Sequence, residues 1–280
     1  MFTRQKHILV RIPLLGTAIL FVFRAKIAFE YFTGILSSLF SWLFKSREFT
    51  NFTYDLTPNN KRYLASLMAN ITNKSYGEIM GYISEIDKDV VLKQHIETIT
   101  KNNSGRFAAD SEARFGRRIG WYAFVRAIKP KIVVETGVDK GIGACVLTAA
   151  LMKNKEEGYE GYYYGTDINP NAGYLLSGKY KEYGEVLYGD SIKSLMNLNK
   201  KIDLFINDSD HSPEYEAKEY EIILDKLSPQ AIVLGDNSHA TDKLLNFSIV
   251  IGRQFIFFQE KPYKHWYPGA GIGIAFKRTQ

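Results

Sequence analysis

The sequence predicts a doubly wound α/β fold: a mostly parallel, seven-stranded sheet with helices on both faces, behind an N-terminal helical extension. Two observations carry this. From residue 131 onward, short β-branched and aromatic runs alternate with helix-like stretches, the pattern of repeated βαβ units. Those runs repeatedly end in an acid or a glycine, as strands do when a turn at their carboxyl end serves a site.

The elements follow in order. Residues 1–50 are apolar and basic. Arg11 and Pro13 interrupt ILVRIPLLGTAILFVF, leaving it shorter than the ~20 residues of a spanning helix. Ile27, Tyr31, Phe32, Ile35, Leu36, Leu39, Phe40 and Leu43 then recur at helical spacing, with Lys and Arg at both ends and Trp42 near one of them. This pattern predicts an amphipathic helix lying in a membrane interface, within a short hairpin; packing on the domain or on a second subunit is the alternative. Residues 51–110 contain three helix-like stretches without strand alternation and read as a lead-in or lid. A further helix is expected over EARFGRRIGWYAFVRAI, stopped by Pro130. In the remaining domain, residues 111–280, the predicted strands are KIVVET, YYYGTD, EVLYGD, IDLFIND, AIVLGD, QFIFFQE and GIGIAF, the last two without a helix between them. An irregular helix is expected between the second and third.

Composition narrows the classes. With 45% hydrophobic and 24% charged residues the chain is globular, and 14% aromatic content excludes low-complexity and proline-rich readings. Cys145 is the single cysteine, so neither an internal disulfide nor a cysteine-built zinc site is available, and a reducing, cytoplasmic setting follows. Residues 1–50 hold seven basic and two acidic residues, a net +5 of the chain's +6. Nucleic-acid binding would need that charge on the folded domain, so the partner it suits is a membrane surface on the cytoplasmic side.

The strand ends carry the chemistry. The first ends in ETGVDKGIG, where Gly137 and Gly141 let the backbone turn tightly against a ligand. Their spacing is not the dinucleotide G-x-G-x-x-G, and Glu135, two residues before the first glycine, would repel a pyrophosphate. Asp167 ends the second strand, where a carboxylate can accept both hydroxyls of a ribose. Asp190 follows the third, suited to an adenine amino group, although an Asp there is also a common helix cap.

On these residues, VVETGVDKGIGA, YYGTD and LYGDS, the chain resembles the class I S-adenosylmethionine-dependent methyltransferases, with their Rossmann-like sheet, over roughly residues 111–280. The resemblance implies that Gly137 and Gly141 lie against the cofactor S-adenosylmethionine, with Glu135 near its amino-acid end, Asp167 on the ribose and Asp190 on the adenine. The interval between Glu135 and Asp167 is long, and KNKEEGYEGY accounts for it as a loop.

FINDSDHSPEY and VLGDNSH place Asp208, Asp236 and Asn237 at the ends of neighbouring strands, and two carboxylates with an amide oxygen suit a hard cation such as Mg²⁺. This pair resembles the divalent-metal-dependent catechol, caffeoyl-CoA and sugar O-methyltransferases. By that resemblance Asp208, Asp236 and Asn237 are the metal ligands, and His211 stands where the catechol and caffeoyl-CoA types carry a lysine base. The bland alternative is that these acids cap helices and Asn237 turns the chain. His211 and His239 are the candidate bases, since a neutral imidazole accepts a proton near neutral pH. His265, Trp266 and Tyr267 precede the last strand, where a loop would border the acceptor pocket, or Trp266 simply packs.

The expected activity is methyl transfer to a hydroxyl of a small polar acceptor, a sugar or lipid-linked glycan. The alternatives are an NAD-dependent oxidoreductase and an inactive methyltransferase-like scaffold on a membrane. The sequence leaves a homo-oligomer open.

Overall fold

The computed structural model describes residues 15–49, 52–236 and 238–278, in two compact units. The described residues of Met1–Ser46 form one with Lys264–Tyr267, and Arg47–Tyr263 with the stretch from Pro268 onward form the other.

The first unit is essentially one helix, α1 (Leu15–Lys45). It runs unbroken through Arg24 and Lys26, so no hairpin forms within these residues; the stretch before Leu15 lies outside the described ones. Trp42 meets Trp266 edge to face with ring centroids 5.2 Å apart, and His265 stacks on Trp266 at 5.9 Å. Trp266 is thus a packing partner of α1.

The second unit begins with three capped helices. In α2 (Pro58–Thr72) proline fills the first turn and the Thr57 hydroxyl accepts from the Asn60 amide. Ser75 caps α3 (Tyr76–Asp87) by accepting from the amide of Glu78, and Asp89 caps α4 (Val90–Asn102) by accepting from Leu92. The next helix, α5 (Arg118–Ile128), starts later than its sequence pattern predicts. Gly116 takes φ +50° and packs against Tyr54, and a left-handed residue ends helical geometry there. α5 buries Trp121, Tyr122, Phe124 and Val125 and stops at Lys129, before Pro130.

The seven strands are β1 (Ile132–Thr136), β2 (Tyr162–Asp167), β3 (Gly184–Tyr188), β4 (Ile202–Asn207), β5 (Leu227–Gly235), β6 (Gln254–Gln259) and β7 (Gly271–Phe276). Their order is β3-β2-β1-β4-β5-β7-β6, parallel except for β7. β1, β4 and the Ala231–Gly235 half of β5 are dominated by buried Val, Ile, Leu and Phe, as strand segments covered on both faces must be. The β1-to-β2 crossover is α6 (Ile142–Glu156); α7 (Ser191–Asn197) follows β3, α8 (Pro213–Ile223) follows β4 and α9 (Lys243–Val250) follows β5. Strand order reverses between β1 and β4, so right-handed crossovers put α6 and α8 on opposite faces.

Two local expectations change. No α-helix joins β2 to β3, because Pro170 and left-handed Gly173 and Gly178 break the segment, leaving a 3₁₀ turn at Gly178–Tyr183. KNKEEGYEGY is only partly loop, since α6 continues through Glu156.

Candidate active site

The reversal of strand order opens a crevice beyond the carboxyl ends of the central strands. The turns bordering it are stitched together by single backbone hydrogen bonds between adjacent strand ends. Gly137 donates to Thr166 at 2.9 Å, Gly189 to Asp167 at 2.8 Å, Asp208 to Thr136 at 3.0 Å and Asp236 to Asn207 at 2.9 Å. The strand pairing that builds the sheet therefore fixes the turns.

A cavity of about 510 Å³ lies in the crevice, within the range of small-ligand sites. Gly137, Asp139, Asp167, Ile168, Asn169, Gly189 and Ser191 line it, as do Arg118, Asp208, Asp210 and His211. Gly137 has φ +81°, and a Cβ there would lie 1.9 Å from the Asp208 carbonyl oxygen, so the turn closes only around glycine. Gly189, at φ +126°, faces open space within 4 Å. Asp167 accepts from the Asp139 amide through Oδ2 and from the Asn169 amide through Oδ1, each at 2.8 Å. Two backbone donors hold its carboxylate at the cavity wall, and each oxygen keeps a lone pair. Beside it Ile168 is 80% exposed, an apolar face for a planar base. These residues fit a purine nucleoside bearing a free ribose diol.

Glu135 is placed otherwise than expected. It is 1% exposed, lies beneath the glycine turn against Gly143, and accepts a hydrogen bond from the Tyr163 hydroxyl; it does not line the cavity. Burial raises its pKa from 4.5 to about 7, against the lowering effects of that hydrogen bond and of Arg118 and Arg117. A pKa raised on folding means that the native state holds the proton more tightly. The resulting stability is complete below pH 4.5 and is lost as pH rises through 7, amounting to about 3 kcal/mol. The unfolding free-energy difference between wild type and Glu135→Gln, from urea titrations at pH 4.5 and 8, should therefore change by about 3 kcal/mol. A pH-independent difference would refute the shift.

Gly141, at φ +98°, packs on Gly173 and does not line the cavity. Asp190 caps α7 by accepting from the Ile192 amide at 3.0 Å and accepts from the Tyr215 hydroxyl at 2.6 Å. Its neighbours Gly189 and Ser191 reach the cavity. His211 is exposed on the cavity lining; His239 is exposed elsewhere. Asp210 accepts from the Ser212 amide at 2.7 Å, and that bond lowers its pKa.

The structure does bring Asp208 and Asp236 together, but on a side chain that no sequence pattern pointed to. Arg117 Nη2 lies 2.7 Å from Asp236 Oδ2 and 3.6 Å from Asp208 Oδ2, and its Nε forms an ion pair with Asp236 Oδ1. Burial alone would lower the Arg117 pKa, but Asp236 and Asp208 more than offset it, so the guanidinium stays charged. Desolvation first and Asp236 second raise the Asp208 pKa well above the ordinary carboxylate range. Asn237 lies outside the described residues. Among the described residues no group of three or more His, Cys, Asp or Glu side chains is arranged to hold a metal ion. With Arg117 between them, the two aspartates do not fit the expected Mg²⁺ site.

Sequence patterns also missed Glu219. On α8 its carboxylate accepts from Thr136 Oγ1 and Ser209 Oγ at 2.8 Å, and from Ser191 Oγ and Asn207 Nδ2. One buried acid thus ties the ends of β1 and β4 to the turns after β3 and β4.

Fold and site define an α/β domain with a small-ligand cavity beyond the carboxyl ends of its central strands. Residues 134–238 match the family described as a methyltransferase domain. Among solved structures it is similar to an O-methyltransferase from Bacillus cereus in complex with S-adenosylhomocysteine, at 14% identity and TM-score 0.52, covering 69% of this chain and 94% of that one. It is also similar to an S-adenosylhomocysteine-bound methyltransferase from Podospora anserina, at 17% identity and TM-score 0.50, covering 68% and 88%. No curated protein sequence matches the chain.

Proposed function

We propose that this chain transfers the methyl group of S-adenosylmethionine to a hydroxyl oxygen of a small polar acceptor, a sugar or lipid-linked glycan. One observation carries the reading: the wall that fits a nucleoside and a polar group of Asp208, Ser209, Asp210 and His211 line the same cavity. In this reading Asp167 accepts from the ribose hydroxyls, Ile168 covers a face of the adenine, and Gly137 and Gly189 leave room for the cofactor's backbone. The bound cofactor supplies an electrophilic methyl on a sulfonium. His211, on the cavity rim, accepts the proton that the acceptor hydroxyl releases. The polarity of this group is the support for a hydroxyl acceptor.

Calorimetric titration with S-adenosylhomocysteine and NADH tests the cofactor, and labelled-methyl transfer to a panel of sugars and glycolipids tests the acceptor. Micromolar S-adenosylhomocysteine binding with no NADH binding supports the proposal, and the converse rejects it. Binding without transfer to any hydroxyl would favour the inactive scaffold.

The partner of α1 in this reading is the cytoplasmic face of an anionic membrane. Phe21, Phe29, Phe32, Phe40, Leu43 and Phe44 are exposed on α1, with Arg24, Lys26 and Lys45 along the same helix. No helix among the described residues is long and apolar enough to cross a membrane, so an interfacial position is the one proposed. Wild type should co-sediment with phosphatidylserine vesicles, and Phe40→Glu with Phe44→Glu should reduce the bound fraction at least severalfold. Unchanged sedimentation would discard the interface, and a concentration-dependent dimer lost in the same variant would assign the helix to a second copy.

A further inference from the structure

We propose that Arg117 is a built-in cation occupying the position between Asp208 and Asp236 that the sequence motif assigns to a divalent metal, so that this chain does not recruit one there. The inference rests on assigning the cavity to S-adenosylmethionine.

The position is defined by the sheet. Asn207 and Gly235 are register partners, so the residues after them, Asp208 and Asp236, leave β4 and β5 side by side. A Mg²⁺ bridging these carboxyls would sit about 2.1 Å from an oxygen of each. Arg117 Nη2 already stands in that wedge, 2.7 Å from one carboxyl and 3.6 Å from the other, while Nε holds the second oxygen of Asp236. One hydrogen bond from Nη2 to Asp236 and ion-pairing reach to both carboxyls hold the guanidinium there, a delocalised charge that an ammonium does not match in shape.

Arg117 is also anchored where it stands. It follows the left-handed Gly116, which packs on Tyr54, and directly precedes α5. Its guanidinium lies 5.7 Å from the Trp121 ring centroid. Side-chain exposure is 10% for Arg117, 11% for Asp208 and 7% for Asp236, so all three are largely buried, with Asp208 at the cavity wall. Mg²⁺ normally keeps several waters. To enter, it would have to evict a buried guanidinium, and the evicted charge would lose both partners. Arg117 therefore positions Asp208 at the cavity wall, as a resident counter-charge without an exchangeable coordination site.

Electron paramagnetic resonance of Mn²⁺, with the full chain saturated with S-adenosylhomocysteine, tests this. Wild type should leave the free Mn²⁺ signal unchanged. Arg117→Ala, accepted as folded if its circular dichroism and S-adenosylhomocysteine binding persist, should take up one Mn²⁺ per chain at least tenfold tighter than wild type, and Asp236→Asn in that background should remove it. One Mn²⁺ per wild-type chain, lost in Asp236→Asn, overturns the proposal. So does a folded Arg117→Ala chain that binds no Mn²⁺. If Arg117→Ala does not fold, melting temperatures decide: Mg²⁺ should raise neither wild type nor Arg117→Lys, and a Mg²⁺-dependent rise abolished by Asp236→Asn overturns it. S-adenosylhomocysteine binding, read in the same samples, fails separately if the cofactor assignment is wrong.

Discussion

Asp167→Ala is expected to weaken S-adenosylhomocysteine binding by about a hundredfold or more, the cost of two hydrogen bonds to a charged acceptor. The side chain has two tasks. It holds the Asp139 and Asn169 amides, and in the proposed complex it also accepts from the ribose hydroxyls. A double-mutant cycle separates them, with 2′,3′-dideoxy S-adenosylhomocysteine as the second perturbation. If Asp167 contacts the diol, removing the hydroxyls weakens binding to wild type strongly and to Asp167→Ala little. If it only shapes the loop, the analogue loses equal affinity on both chains, and the ribose role is wrong. Asp167→Asn should fall between them, because one of its two positions then presents an N–H to a backbone donor.

The sheet was legible because its signal is local. IVVET, YYYGTD and LFIN are short runs closed by turn residues, and the structure places strands on them within a residue or two. Asp167 and Gly137 were readable for the same reason, since a strand end fixes both a residue's place and the direction of the turn after it. Arg117 was not readable. It precedes the helix before β1, about 90 residues from Asp208, and only tertiary packing brings its guanidinium to β4 and β5. Asp208 and Asp236 follow register partners of β4 and β5, but spacing along a chain cannot say which cation sits between two acids. Glu135 shows the same limit. Its position at the end of β1 was clear, whereas its direction, away from the cavity and toward Tyr163, depends on a hydroxyl supplied by β2.

Glu219 offers the sharpest contrast between charge and connectivity. Glu219→Ala should cost about 3–5 kcal/mol of folding stability, because it removes a buried acceptor shared by four donors and leaves a cavity. Burial raises its pKa, while the bonds from Ser191, Thr136, Ser209 and Asn207 oppose that rise. Glu219→Gln should cost far less, about 1 kcal/mol. Its amide oxygen can keep Thr136 and Asn207, and its NH₂ can donate to the hydroxyls of Ser191 and Ser209, which rotate to accept. Because Ser191 and Ser209 also line the cavity, Glu219→Ala should lower S-adenosylhomocysteine affinity about tenfold, while Glu219→Gln leaves it near wild type. Urea unfolding and calorimetry on the two variants measure both quantities. Equal losses for alanine and glutamine would mean that the negative charge, rather than the four-way hydrogen bonding, holds the strand ends around the cofactor.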